Sequence, residues 1–270
     1  MVKTVESASR TGSEAAAGQF ASVNRVASLP EILWPMGPAE VRLTPDEVHV
    51  WALRLDCSPT ELEELRATLS PAELDRAARF RFERHRHRFV AARGLLRSCL
   101  GSYLNMEARE VGFVYGARGK PGLGKSELEF NLAHSEELAL LAVSGSGPVG
   151  VDVEWLRLPD DADELVARFF SARESALFTS LPDEEKANAF FNLWTRKEAL
   201  LKATGEGIGY ALNRVEVSFL PGDPAKLLSS AEAASWKLTH LNPAEGFVGA
   251  LAVSRGGTAP AVRCWGKGKW

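Results

Sequence analysis

The chain has 270 residues, 45% of them hydrophobic, and a formal net charge of −3. That length and apolar content support a sizeable core, in one large domain or two half-size lobes, and the slight negative balance excludes capture of nucleic acid or anionic lipid by bulk charge. No apolar run approaches the roughly 20 residues that span a bilayer, and the N-terminus lacks the apolar centre of a secretory signal, so the cytoplasm is the expected compartment. Three cysteines, distant and odd in number, argue against a disulfide framework or a cysteine-based zinc site.

Residues 1 to about 28 are rich in Ser, Ala, Gly and Thr with few large apolar side chains, so a mobile tail is expected there, within a lead-in that reaches residue 40. Alternating apolar residues predict a strand over Val48–Leu55. Two helices follow, each opened by S-P-x-E: Ser58, Pro59 and Glu61, then Ser70, Pro71 and Glu73. Proline suits the first helical position and the glutamate completes a capping box. From Arg76 to Arg97 the chain carries eight arginines with His85 and His87, against Glu83 as the one acid, and a helix over Arg88–Leu100 presents Phe89, Leu95, Leu96 and Leu100 for packing. Strand-like segments come at Val111–Tyr115, Leu128–Leu132 and Leu138–Val143, the first two separated by the turn-rich GARGKPGLGKS. GSGP leads into GVDVEW; Ser171–Glu174 is a third capping box; Pro182 and Asp183 start a long helix that Gly205 and Gly207 end. Segments near Val215–Phe219, Trp236–Leu241 and Phe247–Val253 read as closing antiparallel strands. Helix plus several strands occurs on both sides of residue 148, so the expected fold is α+β, with two similar lobes at 41–148 and 149–270, although no sequence repeat is visible.

The long helix holds a charge where its pattern calls for an apolar residue. At helical period Phe190, Phe191, Trp194, Leu201 and the methyl of Thr204 form one inward stripe, and Glu198 falls inside it. An ionised, unpaired carboxylate in the interior costs several kcal/mol, so Glu198 should meet a cation or metal or else hold a proton. In the plain structural alternative it lies at the stripe's edge and pairs with Lys202 one turn on. Asp152 and Glu154, in GVDVEW, share one face of a strand about 7 Å apart and can converge on one cation. With Glu198 they make three hard oxygen donors that suit Mg²⁺ with positions left for phosphate oxygens. Their structural alternative is an edge strand with a solvated acidic face.

Other candidates divide by chemistry. His85 and His87 stand within a run of arginines, which select anions and repel a metal; Arg76 and Arg88 read as phosphate binders, since guanidinium forks match phosphate oxygens. His134 and Ser135 are adjacent on a predicted strand, point to opposite faces and cannot form a nucleophile–base pair, which leaves His134 a polar anchor. The glycines of GARGKPGLGKS miss the phosphate-loop spacing and are followed by no helix, so they make a turn.

Taken together, GVDVE, WTRKEALLK, GKP and FNLAHS resemble the surfactin-type (Sfp-like) 4′-phosphopantetheinyl transferases. The pattern W-x-x-K-E-A-x-x-K is met by Trp194, Lys197, Glu198, Ala199 and Lys202. The resemblance runs from about Ser70 to Phe219 and implies a monomer of two pseudo-symmetric α+β lobes, with coenzyme A and Mg²⁺ in the cleft between them. By the same resemblance Asp152, Glu154 and Glu198 hold the metal, Lys202 approaches the diphosphate and Lys197 supports that end. Arg76, Arg88 and His134 face the 3′-phosphate of coenzyme A, and Gly119, Lys120 and Pro121 lie against its adenine. Ala133 departs from the hydroxyl residue that family members often carry before the histidine, and the first 40 or so residues have no counterpart.

The implied reaction is attack of a carrier-protein serine on the phosphorus bearing the pantetheine arm, with adenosine 3′,5′-bisphosphate leaving. Such transfer rests on positioning and charge neutralisation. Glu198 or a water on the metal is the candidate acceptor of the serine proton. Two competing readings remain at this stage, a Mg²⁺-dependent phosphoesterase acting on a small ester and a non-catalytic anion- or nucleic-acid-binding module built on Arg76–Arg97. Neither the carrier protein nor the tolerance for acyl-coenzyme A is legible.

Overall fold

The strand predicted over Val48–Leu55 forms as β1, Glu47–Arg54, and its alternation sets the layering. Val48, Val50 and Ala52 enter one core while Trp51 and Leu53 enter another. β1 is central in a sheet of four, ordered β11-β1-β5-β4, where β4 is Glu129–Ser135, β5 is Leu138–Ser144 and β11 is Ala261–Gly266. A second, antiparallel sheet is ordered β6-β10-β9, from Val149–Trp155, Phe247–Ser254 and Trp236–Leu241. The computed structural model describes residues 31–38, 40–124, 126–205, 212–229, 235–254 and 259–267; the expected tail over 1–28 and the second of the two glycines expected to end the long helix, Gly207, lie outside them.

The helices begin where their caps predict. Ser58 opens α1 (Pro59–Arg66) and Ser70 opens α2 (Pro71–Ala78), each with both halves of the capping box formed, worth about 1 kcal/mol per cap. The basic run continues into α3, Glu83–Leu104, which starts earlier than the predicted Arg88 because no breaker separates Glu83 from the apolar face. Residues 116–120 form the turn of a small hairpin, β2 (Val114–Tyr115) with β3 (Pro121–Gly122), closed by the Gly116 amide on the Lys120 carbonyl. Beyond β6 come α4 (Ala162–Phe169), which the sequence reading had not marked, then α5 (Ala172–Thr179) with the Ser171 capping box, and α6 (Asp183–Thr204), ended by Gly205 at φ 74°. A second small pair, β7 (Glu216–Val217) with β8 (Leu227–Ser229), packs near α5 and α6.

The two larger sheets face each other across a core of Val48, Val50, Leu138, Leu140, Val149, Val151, Val153 and Leu251. On its outer side the first sheet carries α3, with Leu95, Leu96 and Leu100 against Leu53, Phe130 and Leu141. The second carries α6 against Ala250, Ala252 and Val248. Each half is therefore a sheet covered by a 22-residue helix, in the order helix, sheet, sheet, helix, as expected for an α+β protein of two halves.

Two departures from the sequence reading follow from this layering. β11 pairs in parallel with β1, so a strand from the 149–270 segment lies in the first sheet. Its Val262 and Cys264 turn to the inter-sheet core and Trp265 to Trp51, an alternation too short to stand out between its flanking polar residues. The long helix also has no single inward stripe. From Ala189 to Leu201 every residue but Trp194 is buried, because α4, α5 and β7 cover the side that the sheet does not.

Candidate active site

β6 and α6 bring the carboxylates together by close approach. Val149, Val151 and Val153 point to the inter-sheet core, which leaves Gly150, Asp152 and Glu154 facing α6. A Cβ on Gly150 would stand 2.1 Å from the carbonyl oxygen of Ala199 and 2.3 Å from the amide nitrogen of Ala203. Only glycine permits this spacing, and it sets Asp152 beside the turn of helix that carries Glu198 and Lys202. The partner strand adds no polar group, since Ala250 is opposite Asp152 and Val248 opposite Glu154.

Asp152 is 4% and Glu198 3% exposed. Lys202 Nζ donates to Asp152 Oδ1 at 2.5 Å. The ion pair thus joins Lys202 to the strand, and the alternative of a Glu198–Lys202 pair on a solvated face is excluded. Asp152 Oδ2 and Glu198 Oε1 are buried with no hydrogen-bond partner. Glu154 Oε2 accepts from Ser135 Oγ at 2.7 Å, and the same hydroxyl oxygen accepts from the Trp155 amide at 3.1 Å. Burial raises all three acids: Asp152 above the usual carboxylate range despite Lys202, Glu154 to about 8 with Asp152 adding to the effect, and Glu198 to about 7. Burial works against the Lys202 ammonium, but Asp152 and Glu198 outweigh it and hold its pKa above the ordinary lysine value.

The three acids share a neighbourhood without meeting at a point. Among the described residues no three His, Cys, Asp or Glu side chains stand close enough to hold a metal; Lys202 takes one oxygen of Asp152 while Ser135 holds Glu154 to the first half. The donor set nevertheless fits a divalent cation. Two carboxylate oxygens are desolvated and unsatisfied, and each such group costs about 1–3 kcal/mol unless something compensates it.

Lys197 is elsewhere. Its ammonium donates to Glu174 Oε2 at 2.5 Å and to the Leu212 carbonyl at 2.8 Å, on the side of α6 away from β6. Adjacent helical residues diverge by about 100°, so a position next to Glu198 in sequence does not bring Lys197 to the same site.

The expected nucleotide-facing residues belong to the first half. Edge strand β4 runs beside edge strand β6, tied by Asn131 Oδ1 accepting from the Val151 amide at 2.8 Å and by the Ser135 contacts. His134 alternates away from that seam and is exposed. Arg88 on α3 reaches the β4–β5 turn, with contacts of 2.9 Å to Glu136 and 3.4 Å to Glu137. Arg76 is exposed with its guanidinium 5.3 Å from the Phe89 ring centre. Gly119 is exposed in the hairpin turn and Pro121 half-buried after it. Lys120 Nζ reaches across to the carbonyls of Val149 and Ala203 at 3.3 Å each, where a cation suits the C-terminal end of α6. Ser135 and Gly150 are the site residues that the sequence reading passed over. The signal for Ser135 was present, because the alternation that turns His134 one way turns Ser135 toward β6.

A sheet edge from each half, a buried acidic cluster with one lysine, and arginines on the adjoining helix thus lie along one seam between the two halves. The chain belongs to the 4′-phosphopantetheinyl transferase superfamily: residues 148–252 match the model of that description, and residues 55–146 match the model "4′-phosphopantetheinyl transferase, N-terminal". It is 48% identical to 4′-phosphopantetheinyl transferase HetI of Nostoc sp. over 231 residues, 84% of this chain and 96% of that protein. It is also similar to 4′-phosphopantetheinyl transferase psf-1 of Bacillus pumilus, 34% identical over 57% of this chain and 65% of the relative. Sfp of Bacillus subtilis is 27% identical over 59% and 70% respectively. The reaction is that of the family, transfer of 4′-phosphopantetheine from coenzyme A to a serine of a carrier protein, which sets aside the phosphoesterase and the non-catalytic binding module.

Proposed function

We propose that Asp152, Glu154 and Glu198 hold the Mg²⁺ that this transfer uses, and that Lys202 meets the diphosphate of coenzyme A. The observation that carries the reading is the pair of buried, partnerless oxygens on Asp152 and Glu198 beside the Lys202 ammonium. Lys202 supplies one positive charge to three acids. With a cation held by the carboxylates, the Lys202 ammonium would be free to turn toward phosphate, and the bound cation would supply neutralisation of the charge on the phosphoryl oxygens.

The protein's own groups do the rest. Arg76, Arg88 and His134 face the 3′-phosphate and Gly119, Lys120 and Pro121 the adenine, so coenzyme A lies along the β4–β6 seam with its diphosphate at the acidic cluster. Lys197 supports that end from behind, by fixing α6 through Glu174. The serine hydroxyl of the carrier attacks the phosphorus bearing the pantetheine arm, its proton passes to Glu198, and the phosphorus–oxygen bond to adenosine 3′,5′-bisphosphate breaks. Burial of the cluster excludes water that would compete with serine. The working form in this reading is a cytoplasmic monomer.

Asp152→Ala tests the site. The expected outcome is unchanged folding by circular dichroism, loss of Mn²⁺ binding in calorimetry with coenzyme A present, and a transfer rate lower by about 10³-fold, read as carrier mass. Full activity of the parent protein in excess chelator overturns the metal.

A further inference from the structure

The arginine run divides sharply by partner. Arg86 meets Glu83, Arg88 meets Glu136 and Glu137, and Arg93 and Arg97 both meet Glu73. Arg79, Arg81 and Arg84 are exposed, and among the described residues no acid pairs with any of them. They flank Phe82 in the chain; its side chain is 55% exposed, with the Arg81 guanidinium 5.4 Å from its ring centre and the His85 ring edge-on at 5.8 Å.

This junction breaks local rules without local return. Phe82 occupies the cap position of α3, the longest helix described in the first half, and like Asp161 of α4 and Pro182 of α6 it gives no side-chain cap hydrogen bond, but alone among the described caps it puts a large, exposed aromatic ring there. A serine or aspartate there would contribute about 1 kcal/mol. Arg84 in the first turn opposes the helix dipole, and like Arg79 and Arg81 it is exposed with no acid among the described residues paired to it. Where a sequence accepts such costs with no compensating contact, the compensation comes from something outside the chain. An exposed aromatic stacked by one arginine and flanked in the chain by two more is the composition of an interface anchor with charge selection beside it.

We propose that Arg79, Arg81, Arg84 and Phe82 form a docking surface for an acidic face of the carrier protein, with Phe82 entering an apolar gap among the partner's carboxylates. The carrier is the one macromolecule that the reaction requires. The surface lies at the start of α3, one turn ahead of Arg88, and Arg88 borders the β4–β5 turn beside Ser135 and Glu154. A protein held there is at the rim of the seam where its serine must arrive. Since the chain as a whole is negative, these arginines also set the orientation of approach, as local charge steers encounter more than it adds affinity.

The test uses the triple variant Arg79→Glu, Arg81→Glu, Arg84→Glu and the single variant Phe82→Ala, with an acidic apo acyl carrier protein as probe and saturating coenzyme A and Mg²⁺. In the triple variant the expected KM for the carrier rises about tenfold or more, kcat stays within about twofold and the salt dependence of kcat/KM flattens, while Phe82→Ala raises the carrier KM by several-fold without changing the salt slope. Retained melting temperature and an unchanged KM for coenzyme A show that fold and catalytic site are intact, so a failure of the docking surface is separate from a failure of the metal reading. An unchanged carrier KM in both variants overturns the proposal. A rise confined to the coenzyme A KM overturns it in favour of a nucleotide contact, and loss of salt-sensitive RNA binding with normal carrier kinetics overturns it in favour of a nucleic-acid surface.

Discussion

The two long helices share a frame and differ at two positions beside it. In the first half the capping glutamate of α2, Glu73, is buried and meets Arg97, which lies 14 residues after the start of α3. In the second half the capping glutamate of α5, Glu174, is buried and meets Lys197, 14 residues after the start of α6. One residue further on, α3 has Ser98 and α6 has Glu198; a turn beyond, α3 has the exposed Ser102 and α6 has Lys202. The cap-and-cation pair recurs where there is no chemistry, so it belongs to the framework. Glu198 and Lys202 have no charged counterpart in α3, which fits the part in the reaction proposed for them.

The most destructive way to sharpen that contrast is to remove the framework cation. Lys197→Met leaves Glu174 buried without its ammonium and should cost about 3–5 kcal/mol of unfolding free energy, measured by urea titration. Arg97→Met should cost less, because Arg93 still meets Glu73 Oε1 at 2.5 Å. Both variants should keep the transfer rate per folded molecule. If Lys197→Met lost activity at full stability, the frame and the site would not be separable.

Glu198→Gln is expected to behave in the opposite sense. Burial raises Glu198 from 4.5 to about 7 and, with the Asp152 charge, Glu154 from 4.5 to about 8. The folded, metal-free protein therefore binds more protons than the unfolded chain between those limits, and its stability should fall as pH rises from about 5 to 8. Glu198→Gln removes one of the two acids, so thermal unfolding should show a shallower fall and an equal or higher melting temperature at pH 8. Transfer with saturating Mg²⁺ should drop about 10²-fold on the same preparation. An active variant would return Glu198 to the framework.

This contrast was only half visible in the sequence. The capping boxes at Ser58, Ser70 and Ser171 and the alternation of β1 and β6 were legible because a cap or a strand face is decided by a few neighbouring residues. Glu198 is buried as expected, though with nearly the whole of its helix and not on a single stripe, and its surroundings were not legible: Lys202 turns to Asp152, 50 residues away, and no local rule orders distant partners. The partners of Lys197, Glu174 and the Leu212 carbonyl, were hidden for the same reason, since sequence adjacency hides a turn of about 100° around the helix. The recurrence itself could have been found. A capping S-x-x-E is followed by a helix with a cation 24 residues after Glu73 and 23 after Glu174, a spacing that survives where residue identity does not. β11 was missed because its partner strand lies at the other end of the chain.

The smallest expected effect concerns Arg88, which stands where the frame of the first half meets the site of the second. Its side chain is 28% exposed and its partners Glu136 and Glu137 lie in a surface turn, so as a strap across β4–β5 it contributes about 0–1 kcal/mol. Arg88→Ala should leave the melting temperature within a few degrees of the parent. As a phosphate ligand it acts differently: a 3′-phosphate competes with the two carboxylates for one guanidinium, and the net gain is the difference between two charge-assisted contacts. The KM for coenzyme A should therefore rise by only several-fold, about 1 kcal/mol, with kcat unchanged. With 3′-dephospho-coenzyme A, which lacks the group to be recognised, variant and parent should match. Equal losses on both nucleotides would mean that Arg88 acts through the β4–β5 turn and through Ser135, and the anion site of the first half would have to be sought at Arg76 and His134 alone.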